Sequence, residues 1–274
     1  MIQLHTQSAI RLENEFKISV PNELENEVWK FIQYDLIDTQ SNLQISSAEE
    51  VFIDTYFDND AYHLAQANSG LRLRKRYVAD TLAKELVQLK ISDPDQTLVR
   101  GELKFEVLKN NKTVNQFERH DILSRISLDD QEELAFNMVP FDVHPRNTSK
   151  KIKLIQNRRR IYISDGPMAS LATLTLDRVT SLKFPFQSFI EMEIELNEIR
   201  YTNADEDEKQ KLQEFNNWIQ KRLMDQFPEM YIDQTPKYNK MLSKQDQSLL
   251  SKIYSNGVWL MLGLIIIIGG LKMI

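Results

Sequence analysis

The sequence predicts an α+β protein with a mainly antiparallel sheet. About eight segments alternate charged and apolar residues with the period of two that is typical of strands. Segments between and after them carry apolar residues at helical spacing, a combination that indicates the α+β class. The chain has 274 residues, 42% of them hydrophobic, which is enough for one large domain or two small ones.

Five strands and two helices are predicted in the first half of the chain. The segment RLENEFKISV sets Leu12, Phe16 and Ile18 opposite charged residues, as expected of a strand with one apolar face. Pro21 and Asn22 then stand where a helix begins. The predicted elements are a strand at 11–20, a helix at 22–36, a strand at 51–58, a short helix ending at Ala67, and strands at 70–78, 85–91 and 100–108.

The second half continues the pattern after a polar, mixed segment at 109–150, which predicts helices and a loop and contains no recognisable motif. Three further strands are predicted at 151–164, 170–183 and 189–197. A helix is predicted at 206–224, where Leu212, Phe215, Ile219 and Leu223 share one face. A short polar segment containing Pro236-Lys237-Tyr238 follows.

The composition excludes several classes of site. The absence of cysteine rules out a disulfide framework, a zinc-thiolate site and a cysteine nucleophile. A net charge of −6 gives no indication of nucleic-acid binding, so no nucleic-acid partner is expected. The first residues, MIQLHTQSAI, lack the basic and apolar regions of a secretory signal, and we expect the body of the chain to stay in the cytoplasm.

An apolar segment near the end of the sequence predicts a membrane anchor. The stretch VWLMLGLIIIIGGL at 258–271 carries no charge, and counting from Ile253 gives roughly the 20 residues that a bilayer core requires. Lys244 and Lys252 precede it, which favours a cytoplasmic location for the large domain. The predicted organisation is a main domain at 1–245, a juxtamembrane linker at 246–256 and a transmembrane tail anchor at 257–274.

Charged residues line one face of several predicted strands. These runs are Glu13/Glu15/Lys17, Arg72/Arg74/Arg76, Glu102/Lys104/Glu106 and Glu191/Glu193/Glu195. A single run is typical of a strand that faces water, but strands closed into a barrel would turn such faces inwards. Glutamates suit Mg²⁺ or Mn²⁺, and arginines and lysines suit phosphate oxygens. The runs together therefore favour a phosphate-rich ligand accompanied by a divalent metal ion.

These residues resemble the CYTH superfamily, also called triphosphate tunnel metalloenzymes. Residues 13–17, ENEFK, match its ExExK signature near the start of the chain. The later segments that resemble the family follow in family order: TYFDNDAYHLAQANSGLRLRKR, LVQLK, VRGELKFEV, RRRIY, LTLDRV, FIEMEIEL and PKYNKML. The resemblance covers roughly residues 10–242, and the combination of segments is more specific than the pentapeptide alone.

The resemblance implies an eight-stranded antiparallel β-barrel, or tunnel, with surrounding helices that holds a triphosphate-bearing substrate. It implies catalytic roles for Glu13, Glu15 and Lys17 and leaves open whether Glu191/Glu193 or Glu193/Glu195 completes the metal site. The implied ligands of Mg²⁺ or Mn²⁺ are drawn from Glu13, Glu15, Glu102, Asp177, Glu191, Glu193 and Glu195. The implied phosphate-binding residues are Lys17, Arg72, Arg74, Lys90, Arg159 and Lys237. Arg76 and Lys104 are expected to be peripheral.

The function this implies is metal-dependent hydrolysis of a triphosphate, most simply inorganic triphosphate. Alternatives within the family are an adenylate cyclase and a polyphosphate polymerase. A non-catalytic module that binds polyphosphate or nucleotide at the membrane is the alternative from another class. The four histidines, His5, His63, His120 and His144, are scattered and have no role in this chemistry, and the sequence identifies no protein partner.

Overall fold

The computed structural model describes residues 11–37, 42–93, 96–108, 122–166, 170–184 and 186–247. For residues 11–14, 93 and 96–99 the description covers the backbone only. The predicted anchor at 257–274 lies outside the described residues, as does most of the predicted linker.

One antiparallel sheet organises the described chain and confirms the predicted α+β class. Its nine strands lie in the order β5-β4-β3-β2-β6-β7-β8-β1-β9. The strands are β1 (Arg11–Val20), β2 (Gln44–Asp58), β3 (Gly70–Val78), β4 (Thr81–Asp93), β5 (Gln96–Glu106), β6 (Ser149–Ser164), β7 (Ala172–Ser181), β8 (Ser188–Leu196) and β9 (Tyr231–Ile232).

Strand β1 links both sides of this sheet. Its second half pairs with β8, and its residues 11–14 pair with residues 99–102 of β5. Strands β5 and β8 stand far apart in the strand order, so the β1–β5 pairing joins the two. The eight strands β1 to β8 therefore follow one another in an unbroken cycle of pairings.

Six α-helices accompany the sheet in the described residues. They are α1 (Glu25–Tyr34), α2 (His63–Gln66), α3 (Leu128–Met138), α4 (Glu198–Asn203), α5 (Glu206–Gln226) and α6 (237–247). The long helix α5 begins where Asp205 accepts a hydrogen bond from the backbone N–H of Glu208 at 2.9 Å, an N-cap that satisfies a free donor of the first turn. The first two residues of the predicted linker, 246 and 247, belong to α6.

Apolar residues on the outer faces of the strands form the cores beneath the helices. Because side chains alternate along a strand, Phe16, Ile18 and Val20 of β1 share one face, and they pack in a cluster with α1 and α5. A second cluster joins Leu134 and Met138 of α3 to β3, β4 and β5. The opposite faces of the same strands are thereby turned towards the interior of the cycle.

Helix α6 packs across one end of the strand cycle. Tyr238 is fully buried and stacks on Tyr56 of β2, with ring centroids 4.9 Å apart. Ile152 and Leu154 of β6 and Met241 of α6 belong to the same apolar cluster, the third of the fold. We call this the α6 end; β2 and β7 finish there, and the opposite end is the open end.

Within the part of the chain that the structure describes, no helix is both long enough and apolar enough to cross a membrane.

Candidate functional site

The inner faces of the strands carry a dense set of buried charged side chains, which we call the polar interior. Glu15 and Lys17 alternate with the apolar residues of β1 and are almost completely buried. Asp54 of β2, Asp177 of β7 and Glu191 of β8 are fully buried as well. Buried charges are costly unless they are paired, so the partners of these groups define the site.

Three glutamates in this interior form an acidic cluster. Glu15, Glu193 and Glu195 each present a carboxylate oxygen, and these oxygens lie within 4.8 Å of one another. The strand register explains the cluster, because Glu15 pairs directly with Glu195 across β1 and β8, and Lys17 pairs with Glu193. Lys17 approaches Glu15 at 3.0 Å, and burial lowers the pKa of this lysine in spite of the attraction of the glutamate.

The acidic cluster fits a divalent metal ion. Carboxylate oxygens are the ligands that Mg²⁺ and Mn²⁺ prefer, and histidine or cysteine is not required. With bonds of about 2.1 Å, oxygens on opposite sides of Mg²⁺ lie about 4.2 Å apart, so a small closure of the cluster suffices. Glu15, Glu193 and Glu195 are thus the residues that would hold the ion.

A charged network on β6, β7 and α6 borders the cluster. Arg158 donates two hydrogen bonds to Asp177, at 2.7 and 2.6 Å, and a third to Glu193 at 2.9 Å. Lys237 forms ion pairs with Glu191 at 2.7 Å and Asp177 at 3.2 Å, and it also contacts Glu193. Burial alone would raise the pKa of the Glu193 carboxyl, but Lys237 and Arg158 hold it well below its ordinary value. Arg158 and Lys237 also hold the pKa of Asp177 below its ordinary value against the effect of burial, so the carboxylates of Glu193 and Asp177 are both ionised at neutral pH.

A second network orients two arginines of β3. Arg74 donates to both oxygens of Asp54, from Nε at 2.7 Å and from Nη2 at 2.6 Å, and Arg72 donates to Asp54 at 3.3 Å. Arg72 also donates to Gln88 at 2.9 Å. Burial alone would raise the pKa of Asp54, but Arg74 and Arg72 lower it to about 2. These contacts fix the direction in which both guanidinium groups point.

These networks surround a central cavity of about 310 Å³. Nine basic and four acidic side chains line it, although the whole chain has a net charge of −6. The charged lining residues are Arg72, Arg74, Arg76, Lys84, Lys90, Lys104, Arg158, Arg160 and Lys237, with Glu50, Glu102, Glu193 and Glu195. The positive charge of an acidic protein is thus concentrated in one place, where a polyanion would be attracted.

Most of the residues singled out from the sequence lie in or beside this cavity. The structure brings together Glu15, Lys17, Arg72, Arg74, Lys90, Glu102, Asp177, Glu191, Glu193, Glu195 and Lys237. The side chain of Glu13 lies outside the described residues, and its backbone pairs with that of Arg100.

Arg159 is the exception and requires a correction. Its guanidinium forms an ion pair with Glu25 of α1 at 2.8 Å and lies over the ring of Trp29, on the outer side of β6. The neighbouring Arg158 takes the interior position. The reason is strand alternation, since Ile161 and Ile163 share the face of Arg159 and belong to the outer core.

The strand register also distinguishes the two glutamate pairs that the sequence left open. Glu193 and Glu195 join Glu15 in the acidic cluster. Glu191 lies outside this cluster and pairs with Lys237 and Lys240, each at 2.7 Å. Asp177 is held by Arg158 and Lys237, so the geometry makes both Asp177 and Glu191 anchors for basic residues.

Other cavity residues were missed or assigned to the periphery. Arg76 and Lys104, expected to be peripheral, both line the cavity. Asp54 and Gln88 carried no motif, yet they hold Arg72. The sequence of β6 could have identified Arg158 and Arg160 as interior residues. Strand alternation places both on the face opposite to Ile161 and Ile163.

No protein-family model and no curated protein matches the chain. Several solved structures are similar to it at low identity, and three of them are described. The PH1819 protein of Pyrococcus horikoshii OT3 has a TM-score of 0.48 and 15% identity, over 85% of this chain and 99% of that one. A candidate adenylate cyclase of Bacillus halodurans has a TM-score of 0.45 and 15% identity, over 78% and 92%.

The third is HpAC1 of Hippeastrum, a candidate adenylyl cyclase for which a dominant triphosphatase activity is named. It has a TM-score of 0.40 and 16% identity, over 76% of this chain and 87% of that one. These likenesses are too weak to assign an activity to the chain.

Proposed function

We propose that the cycle of strands encloses a tunnel in which this protein hydrolyses a phosphoanhydride bond of a short linear polyphosphate, with inorganic triphosphate as the simplest substrate. The observation that carries the proposal is the central cavity, where nine basic side chains meet an acidic cluster suited to a divalent ion. A ligand that needs both groups is a polyanion that binds together with its metal ion.

The arrangement of the basic groups supports a linear substrate. Arg72, Arg74 and Arg76 occupy every second position of β3 and all line the cavity. Positions four residues apart on a strand are separated by about 13 Å, so the positive charge extends along the tunnel. A chain of phosphates would contact several of these groups at once, whereas a single phosphate would contact only one or two.

In the proposed reaction, the protein positions a substrate and stabilises developing charge. A divalent ion held by Glu15, Glu193 and Glu195 would neutralise phosphate oxygens and acidify the attacking water. Arg72, Arg74 and Lys90 would donate charge-assisted hydrogen bonds to the phosphate oxygens. The water oxygen bonds to the terminal phosphorus as the bridging P–O bond breaks, and the proton that the water loses passes to a phosphate oxygen of the products or to solvent. These cationic groups stabilise the charge on the departing diphosphate. Asp54 already orients Arg72 and Arg74, so little reorganisation is required.

The test is phosphate release by the purified full-length chain in detergent. Triphosphate, thiamine triphosphate, ATP and long-chain polyphosphate are supplied separately, each with Mg²⁺, with Mn²⁺ or with a chelator. We expect metal-dependent release that is fastest with triphosphate. Formation of cyclic AMP from ATP would assign a cyclase instead, polymer growth from ATP would assign a polymerase, and binding without turnover would assign a binding module.

A matched pair of variants ties this activity to the acidic cluster. Glu15→Gln removes one charge from the cluster, and we expect roughly a 100-fold or greater loss of turnover, because a charge-stabilising group of the reaction centre is lost. Glu49→Gln is the control, since Glu49 is an exposed residue of β2. Equal turnover of the Glu15→Gln variant and the unaltered chain would exclude the catalytic assignment.

We also propose that residues 257–274 anchor this domain to a membrane from the cytoplasmic side. The support is the uncharged stretch at 258–271 and the lysines that precede it.

A further inference from the structure

The loop between β7 and β8 exposes three large apolar side chains. Leu182 is 44% exposed, Phe184 69% and Phe186 68%. The two phenylalanine rings meet edge to face, with centroids 6.1 Å apart. Single exposed apolar residues are common, but two aromatic rings and a leucine within five positions form a concentrated patch.

This patch is held in a fixed place at the α6 end. Ser181, at the end of β7, accepts a hydrogen bond from the side chain of Gln245 of α6 at 2.7 Å. The backbone N–H of Leu182 donates to the carbonyl of Lys153 on β6 at 2.8 Å. The loop is therefore connected to both the sheet and the helix from which the chain continues.

The sequence that follows α6 places an apolar segment within reach of the patch. Helix α6 is described to residue 247, and the uncharged stretch starts eleven residues later, at 258. Eleven residues span at most about 40 Å. A bilayer into which this stretch inserts therefore lies within that distance of the α6 end. Lys183 and Lys244 are sequence neighbours of Phe184 and Gln245 and provide positive charge for anionic lipid headgroups.

From these observations we propose that the β7–β8 loop is a second membrane contact, in which Leu182, Phe184 and Phe186 enter the interfacial layer of an anionic bilayer. Aromatic side chains favour this layer, and lysine beside them meets the headgroups. The α6 end then faces the membrane, and the open end of the strand cycle, which carries Arg76 and Lys84, faces the aqueous phase. This orientation rests on the proposed membrane anchor at 257–274 and does not depend on the proposed hydrolysis.

The test uses site-specific fluorescent labels, which is straightforward because the chain contains no cysteine. Phe184→Cys and Phe186→Cys variants of the full-length chain are labelled with an environment-sensitive nitrobenzoxadiazole group and reconstituted into phosphatidylcholine–phosphatidylglycerol vesicles. Leu82→Cys is the matched control, because Leu82 is 46% exposed and lies at the open end, near the turn between β3 and β4. Thermal melting followed by circular dichroism establishes that each labelled variant is folded.

We expect the labels at 184 and 186 to emit at shorter wavelength and to lose roughly half their fluorescence in vesicles of brominated lipid, since interfacial apolar groups lie about 5–10 Å into the bilayer surface. The label at 82 should be unaffected. Water-like emission at both loop positions in vesicle-bound protein would overturn the proposal. A blue shift without quenching by brominated lipid would assign the patch to a protein contact and would overturn it as well, as would a failure of the chain to bind the vesicles.

Discussion

At the scale of single residues, Arg158 and Arg159 show how strand alternation separates two neighbours of the same type. Arg158 forms a two-point contact with Asp177 inside the cycle, whereas Arg159 pairs with Glu25 outside it. Both are arginines in the segment RRR, so residue type alone does not distinguish them. The distinction is that Arg159 shares a face with Ile161 and Ile163 of the outer core, whereas Arg158 lies on the opposite face.

The two arginines provide a prediction for activity. Arg158→Lys keeps the charge but loses the planar fork that contacts Asp177 and Glu193, so we expect about a ten-fold or greater loss of turnover. Arg159→Lys is the matched substitution on the outer face and should change turnover less than about two-fold. Phosphate release from triphosphate by both variants is the measurement. A larger loss in the Arg159 variant would contradict the assignment of faces.

The acidic cluster shows which site residues could be predicted from the sequence and which could not. The ExExK segment identified Glu15 and Lys17, and both are buried in the polar interior. The choice among Glu191, Glu193 and Glu195 was not accessible, because a period of two puts all three on one face. The register of β1 against β8 places Glu195 opposite Glu15 and Glu193 opposite Lys17, and register arises from pairing between segments about 180 residues apart in the chain.

At the scale of elements, α6 is the part of the fold that local sequence signals described least well. The segment around Pro236-Lys237-Tyr238 looked like a polar connection, yet it begins a helix that covers one end of the strand cycle. Lys237 is buried among Asp177, Glu191 and Glu193, which together hold its pKa well above the ordinary value in spite of burial. The resemblance of PKYNKML implied a place for Lys237 in the site, whereas its burial depends on acids on distant strands and is not predicted by a local pattern.

The contact between α6 and the sheet predicts a stability effect. Tyr238→Ala removes a fully buried ring that stacks on Tyr56, and we expect a loss of about 3–5 kcal/mol in the free energy of unfolding. Tyr231→Ala is the matched control, because Tyr231 is 57% exposed, and its effect should stay within about 0.5 kcal/mol. Urea denaturation of both variants gives the comparison. Equal destabilisation would mean that α6 does not stabilise the folded domain through this ring.

At the scale of the whole molecule, the fold class and the order of the main strands along the chain were predictable, while the lengths of the strands were not. Strand β2 begins at Gln44, seven residues before the predicted start, because its first four residues are all exposed, Ile45 included, and therefore carry no alternation. These first residues belong to the strand only because they pair with β6. The β1–β5 pairing likewise depends on the accumulated twist and register of all the strands between.

The polar interior as a whole predicts how stability depends on pH. Asp54 has a folded-state pKa of about 2 against an ordinary value of 3.8, so the folded chain binds fewer protons than the unfolded chain over this interval. Its contribution of about 2 kcal/mol is complete above pH 4 and is lost as the pH falls through 2. Urea denaturation between pH 2 and pH 6, with a chelator present throughout, measures this dependence.

The Asp54→Asn variant should be less stable at pH 6 and should show a shallower acid limb, because Arg72 and Arg74 then lack their shared carboxylate. An acid limb as steep as that of the unaltered chain would show that the ionisation of Asp54 does not support the fold.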